Sequence, residues 1–200
     1  MLIYMIRHGQ TDWNAEGRMQ GQKDIGLNDI GRAQARENGR RLGQILGDTA
    51  RGYDFVSSPL LRTRDTMERV RSAMGLPAEG YRIDDRLKEL SFGDWEGSTL
   101  AELAQVWPER VAERARQKWS FIPPGDDAES YEILSWRIGA WLTSVERPTV
   151  CVSHGGVIRS CFRLIGNVDE DEACEMNIPQ NRILKIEGAT ASSAATIGWI

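Results

Sequence analysis

Leu2-Ile3-Tyr4-Met5-Ile6-Arg7-His8-Gly9 and Thr149-Val150-Cys151-Val152-Ser153-His154-Gly155-Gly156 are the two stretches that decide the fold. Each is a short apolar run closed by histidine and glycine, the pattern of a buried strand that ends at a turn. The chain has only two histidines, and these runs hold both. In an open α/β sheet, ligands bind at the carboxyl ends of the strands, so the pattern predicts both imidazoles at one sheet edge. Imidazole is well suited to proton and phosphoryl chemistry near neutral pH.

Between these strands the pattern alternates. A polar loop over 9–27 leads to a helix from Asn28 or Asp29 to about Gly47, with either residue a good N-cap. Phe55-Val56-Ser57 reads as a strand and 60–74 as a helix stopped by Gly75 and Pro77. Tyr81-Arg82-Ile83 is a weaker strand candidate, and a helix is expected from near Ser98. Prolines 108, 123 and 124 break the stretch 105–126, which carries Trp107, Trp119 and Phe121 and reads as a folded lid. A long helix from Glu129 or Ser130 to about Val145, a helix over 155–164, and strand-like runs at 174–178, 182–187 and 195–200 complete the chain, with a turn at 189–194. Strands alternating with helices predict a three-layer α/β/α fold with a mostly parallel central sheet. The expectation is one domain over 1–200 with a small helical lid at about 98–126.

Two hundred residues, 40% hydrophobic and 27% charged, suit an ordinary globular core. The net charge of -4 argues against nucleic acid or an anionic membrane as partner. Arginine outnumbers lysine 21 to 4, and arginine is the preferred bidentate phosphate ligand, although many of these arginines read as solvated helix faces. Cys151, Cys161 and Cys174 form no CxxC pair, as expected of reduced, packed cysteines in a cytoplasmic protein. No apolar stretch approaches the ~20 residues that span a bilayer.

The densest functional cluster is Arg7-His8-Gly9-Gln10-Thr11-Asp12-Trp13-Asn14. A neutral imidazole can attack phosphorus and carry the phosphoryl group. Its neighbours can stabilise an anion: Arg7 with a fixed charged fork, Gly9 by close backbone approach, Asn14 through its amide. Ser57-Ser58-Pro59-Leu60-Leu61-Arg62-Thr63 repeats the design, since Ser58-Pro59 would cap a helix whose N-terminus favours anions and whose first turn carries Arg62. Metal sites, a GxSxG hydrolase and nucleotide loops are disfavoured, because HxxxH, HxH, GxSxG, GxGxxG and GxxxxGK[ST] are all missing.

Four blocks now carry a resemblance: Arg-His-Gly-Gln-Thr at 7–11 with Trp13-Asn14, Ser57 to Thr63, Leu87-Lys88-Glu89-Leu90-Ser91-Phe92-Gly93-Asp94-Trp95-Glu96-Gly97, and Ser153-His154-Gly155-Gly156. In that order they resemble the histidine phosphatase superfamily, also called the phosphoglycerate-mutase-like family. The resemblance implies that His8 becomes phosphohistidine. Arg7, Arg62 and His154 would form the phosphate pocket with Asn14 and the Gly155 N–H. Glu89 would protonate the leaving oxygen and then activate water, with Glu96 as its rival in the same loop. His154 is expected to be protonated, with a neutral hydrogen-bond donor as the alternative. Gln20 and Gly21 are the expected contacts at the substrate rim, with Arg18, Lys23 and Asp24 beside them.

Within the family, mutases carry a longer insertion whose adjacent arginines hold a second acidic group. Here the stretch from Glu109 to Trp119 is short and its basic residues are spaced rather than adjacent, which reads as one exposed helical face. The segment is closer to the small phosphatase branch, although Gly125-Asp126-Asp127-Ala128-Glu129-Ser130 stretches the Gly-Glu-Ser element of those relatives. The expected activity is hydrolysis of a small phosphomonoester without metal or cofactor. A mutase-type transfer and a non-catalytic phospho-ligand binder are the alternatives. The expected partner is a small phosphorylated substrate, and a homodimer through the terminal strands is left open.

Overall fold

The computed structural model describes residues 1–188 and 195–200, so the turn expected at 189–194 lies outside the described residues. Six strands form one sheet in the order β3-β2-β4-β1-β5-β6. They are β1 (Leu2–Arg7), β2 (Asp54–Ser57), β3 (Arg82–Ile83), β4 (Thr149–Ser153), β5 (Ile183–Glu187) and β6 (Thr196–Trp199). The pairs β1–β4, β2–β4 and β2–β3 are parallel, whereas β5 runs antiparallel to both β1 and β6. Strands β1 and β4 are neighbours in a register that sets Arg7 opposite Ser153. The residues that follow, His8 and His154, therefore leave the sheet side by side.

The helices are α1 (Asp12–Glu16), α2 (Asp29–Leu46), α3 (Leu61–Ala73), α4 (Leu100–Val106), α5 (Pro108–Arg116), α6 (Tyr131–Thr143), α7 (Gly155–Ile165) and α8 (Glu170–Glu175). Alternation along β1 explains the layering. Tyr4 and Ile6 pack with Leu42 and Leu46 of α2 and with Met67 and Val70 of α3. Ile3 and Met5 face the other way, onto Leu134 and Ile138 of α6 and Ile158 and Cys161 of α7. A side chain such as Leu134, fully buried there, contributes about 1.5–3 kcal/mol by leaving water.

Asn28 caps α2 by accepting from the Gly31 N–H, and Ser130 caps α6 by accepting from the Ile133 N–H, both as the sequence indicates. The expected strand-like run at 174–178 is corrected. Asp169 accepts from the Glu172 N–H and three acids fill the next turn, so the residues up to Glu175 form α8 and the chain extends only afterwards. Helix α1 lies inside the expected loop, closed by a Thr11–Asn14 capping box.

Helices α4 and α5 stand over the sheet edge on a small core of Met19, Trp95, Leu103 and Phe121. Trp119 belongs instead to the α6–α7 core, stacked on Tyr131 with ring centroids 5.8 Å apart. Both aromatic residues pack rather than lie open. Trp107 is more exposed and stacks on Trp95. No helix among the described residues is long and apolar enough to cross a membrane.

Candidate active site

A cleft of about 310 Å³ opens at the carboxyl edge of β1 and β4. Its wall includes Arg7, His8, Asn14, Gln20, Gly21, Arg62, Glu89 and Gly155, residues that the sequence singles out. His154 lies directly beneath, its ring centroid 5.2 Å from that of His8 at an edge-on angle of 60°.

Local geometry fixes the state of His8. Its Nδ1 lies 2.8 Å from the Gly9 carbonyl oxygen. A carbonyl only accepts, so Nδ1 carries the proton and Nε2 keeps its lone pair. Burial, reinforced by Arg62 and Arg7, holds the imidazole pKa well below its ordinary value, so the ring stays neutral. Gly9 makes this turn possible: a Cβ there would stand 2.3 Å from the Gly31 carbonyl oxygen at the start of α2.

The expected charge on His154 is corrected. Burial first, then Arg62 and His8, press its pKa far down, leaving a neutral ring. Its Nε2 sits 2.8 Å from the Ser58 hydroxyl oxygen, and its buried Nδ1 has no hydrogen-bond partner among the described residues. In the tautomer in which the Ser58 hydroxyl donates to Nε2, Nδ1 carries the proton and is a free donor.

Both arginines are aimed by backbone carbonyls. Arg62 donates to Lys23 and Gly21 oxygens, each at 2.7 Å, and Arg7 donates to Ile178 O at 2.7 Å. In each guanidinium Nε is buried without a partner among the described residues. Burial lowers Arg62 to about 10, still cationic. A buried unpaired donor is costly, and Arg7 and Arg62 bring two such donors to the cleft, with the unpartnered Nδ1 of His154 close by. A tetrahedral oxyanion offers the acceptors they lack.

Helix α3 delivers Arg62 but not the expected N-terminal anion site. Leu60 is its cap residue, and the Leu61 N–H is taken by the Asp24 carboxylate at 2.6 Å. The helix start that meets the cleft is that of α7, where His154 occupies the cap position without a side-chain cap.

Glu89 reaches this same start, its Oε2 accepting from the Gly156 N–H at 3.0 Å. The rival Glu96 faces away, accepting from the Gln22 N–H at 2.8 Å and the Phe92 N–H at 3.2 Å. It ties two loops together. The Glu89 loop is held from behind by Arg137 of α6, which donates to the carbonyls of Arg86, Lys88 and Glu89 and pairs with Glu129. In the stretched 125–130 element, Glu129 and Ser130 thus keep structural duties, while Asp126 and Asp127 are exposed.

At the rim, Gln20 accepts from the Thr11 hydroxyl, and Arg18 pairs with Glu16 and Glu102. The reading of 109–119 as a solvated face holds for Glu109, Arg110 and Arg116, which are exposed, but not for two of its cations. Arg114 and Lys118 line the cleft with Tyr131 and Arg159. Arg114 makes no ion pair or side-chain hydrogen bond among the described residues, and burial lowers its pKa.

Residues 174–180 run along this wall and hold it through alternate carbonyls. Lys118 donates to Cys174 O at 2.9 Å, Arg159 to Met176 O at 2.9 and 3.1 Å, and Arg7 to Ile178 O. The missed wall residues had a faint signal. Gly155 and Arg159 are four apart on α7, a spacing that shares a helix face, whereas Lys118 lies beyond the end of α5. Among the described residues, no cluster of three or more His, Cys, Asp or Glu could hold a metal ion.

Adjacent strands ending in paired imidazoles, ringed by aimed arginines, define a phosphoryl-handling α/β protein. The model of the histidine phosphatase superfamily (branch 1) matches residues 3–194, and the chain belongs to that family. It is 34% identical over 167 residues to a glucosyl-3-phosphoglycerate phosphatase of Mycolicibacterium vanbaalenii, covering 78% of this chain and 70% of the relative. It is 32% identical to a 2,3-bisphosphoglycerate-dependent phosphoglycerate mutase of Methylocella silvestris, covering 82% and 81%. The solved structure of a mycobacterial glucosyl-3-phosphoglycerate phosphatase in complex with VO3 superposes with a TM-score of 0.78 at 29% identity, covering 99% and 96%.

Proposed function

We propose that this protein is a metal-independent phosphoric monoester hydrolase working through phosphohistidine on His8. The observation that carries this reading is the neutral His8, with Nδ1–H bound to the Gly9 carbonyl and Nε2 left as a nucleophile. In the first step Nε2 bonds to phosphorus, the ester P–O bond breaks, and Glu89 gives its proton to the leaving oxygen. In the second, Glu89 takes a proton from water as the water oxygen bonds to phosphorus and the N–P bond breaks. Phosphoryl transfer needs charge neutralisation and alignment above all. Arg7, Arg62, the Nδ1–H of His154 and the α7 start supply both.

The favoured substrate carries a second anionic group. Arg114, Lys118 and Arg159 form a cationic wall beside the phosphoryl pocket, and among the described residues only Lys118 of these is matched by a carboxylate, that of Glu175. Relatives named for phosphoglycerate derivatives fit that requirement. The mutase alternative differs in the fate of the phosphoryl group, which is returned to substrate instead of water.

The test is hydrolysis of p-nitrophenyl phosphate in excess chelator by wild type and His8→Ala. Wild-type turnover that survives chelation and falls at least ~10³-fold in the variant is expected. An acid-labile phosphoprotein should be trapped only in the wild type. Equal turnover by the two proteins would overturn the assignment. Interconversion of 2- and 3-phosphoglycerate without phosphate release would establish the mutase instead.

A further inference from the structure

Gln180 lies at the end of the 174–180 segment, outside all four sequence blocks, and touches two of the residues described above. Its Nε2 is 3.1 Å from the His8 carbonyl oxygen and 3.0 Å from Asn14 Oδ1. Its own backbone carbonyl accepts from Nδ2 of Asn38 at 2.9 Å, and Asn38 is a polar residue on α2 that is only 1% exposed. Ordinary fold requirements do not call for a buried asparagine in the middle of a helix.

The chain of donors and acceptors has one consistent direction. The His8 carbonyl can only accept, so the Gln180 amide must present its nitrogen there. That nitrogen then requires an acceptor from Asn14, which supplies Oδ1. The same oxygen accepts from the Thr11 N–H at 3.2 Å. With Oδ1 engaged by two donors, the amide group of Asn14 is oriented, and Nδ2–H₂ is the end left for the cleft that Asn14 lines. An amide turned over would present oxygen to an anion, and a repulsive acceptor would replace an attractive donor.

We infer that Gln180 is a positioning residue of the phosphoryl site: anchored on the His8 carbonyl, its amide nitrogen sets the Asn14 amide donor-side toward the anion. Asn38 and the extended chain hold Gln180 in register. The role is exerted through Asn14, and this makes it separable from a general contribution to folding.

Direct binding of inorganic phosphate and of orthovanadate, measured by calorimetry, tests it without relying on turnover. The proteins are the wild type, Gln180→Met and Asn14→Ala, with the double variant closing the cycle. Gln180→Met keeps the length of the side chain and removes its donor. It should weaken phosphate binding about tenfold, the scale of one hydrogen bond to a charged group. In the Asn14→Ala background the same substitution should change affinity less than twofold. Gln180→Glu provides a second cycle if the methionine variant does not fold. Its added charge acts in both backgrounds, so only the loss carried through Asn14 should differ, by about fivefold or more. Wild-type affinity in Gln180→Met, or equal losses with and without the Asn14 amide in either cycle, would overturn the inference. Phosphate binding with the expected coupling but without ester hydrolysis would leave this inference standing and remove the hydrolase.

Discussion

Two buried neutral histidines make stability depend on pH in a definite direction. Burial, with arginine neighbours, lowers the folded-state pKa of His8 and His154 well below 6.5. Below the unfolded-state pKa of ~6.5 the unfolded chain takes up protons that the folded chain refuses, so stability falls as pH falls. Each histidine contributes at most about 1.4 kcal/mol per pH unit, an effect fully relieved above that value. Denaturant unfolding from pH 8 to 5 should show a His154→Gln variant with a flatter decline than wild type below pH 6.5, by about 1 kcal/mol per pH unit. Parallel curves would show that His154 titrates normally in the fold. The identities of these residues were readable from the sequence, because strand-end His-Gly is a local pattern. The charge of His154 was not, since it follows first from burial and then from Arg62 and His8, which converge only in three dimensions.

Helix α7 begins against the acid loop, and a side chain at its second residue would have to push the Glu89 carboxylate aside. A Cβ on Gly156 would fall 2.2 Å from Glu89 Oε1 and 2.9 Å from Leu90 Cδ2. Gly156→Ala should therefore displace the carboxylate from the leaving group and lower kcat for p-nitrophenyl phosphate about a hundredfold, within the range of general acid–base catalysis. Orthovanadate affinity should fall much less, because the phosphoryl donors remain. Equal losses in both would mean that the pocket as a whole had collapsed. Element boundaries were mostly legible: Asn28 and Ser130 announced α2 and α6 by capping chemistry. The short helices were harder. Helix α8 rests on an Asp169 cap and its acidic first turn, signals outweighed by the apolar look of 174–178. Ser58-Pro59 looked like a cap for α3, yet the N–H it would serve is taken by Asp24 from a distant loop.

The cationic wall exists only in the assembled molecule. Arg114 and Lys118 arrive from the segment above the sheet edge, Arg159 from α7, and Tyr131 from the start of α6, where its hydroxyl accepts from Arg159 at 3.2 Å. Nothing in the local spacing of 109–119 reveals which face of α5 meets the cleft, so those residues passed for solvated charges. Arg114→Ala should raise the ratio of KM for 3-phosphoglycerate to KM for p-nitrophenyl phosphate about tenfold, since only the first ester offers a carboxylate to the wall. An unchanged ratio would remove the second-anion reading.

The carbonyls of Cys174, Met176 and Ile178 hold Lys118, Arg159 and Arg7 in place. Every residue type carries such an oxygen, so the acceptors are inherited with the path of the chain and not with any codon. Divergent descendants could exchange the side chains at 174, 176 and 178 and keep the same grip on three cations. Genetic variation at those positions is thereby freed to reshape other contacts while the anion-binding apparatus stays constant.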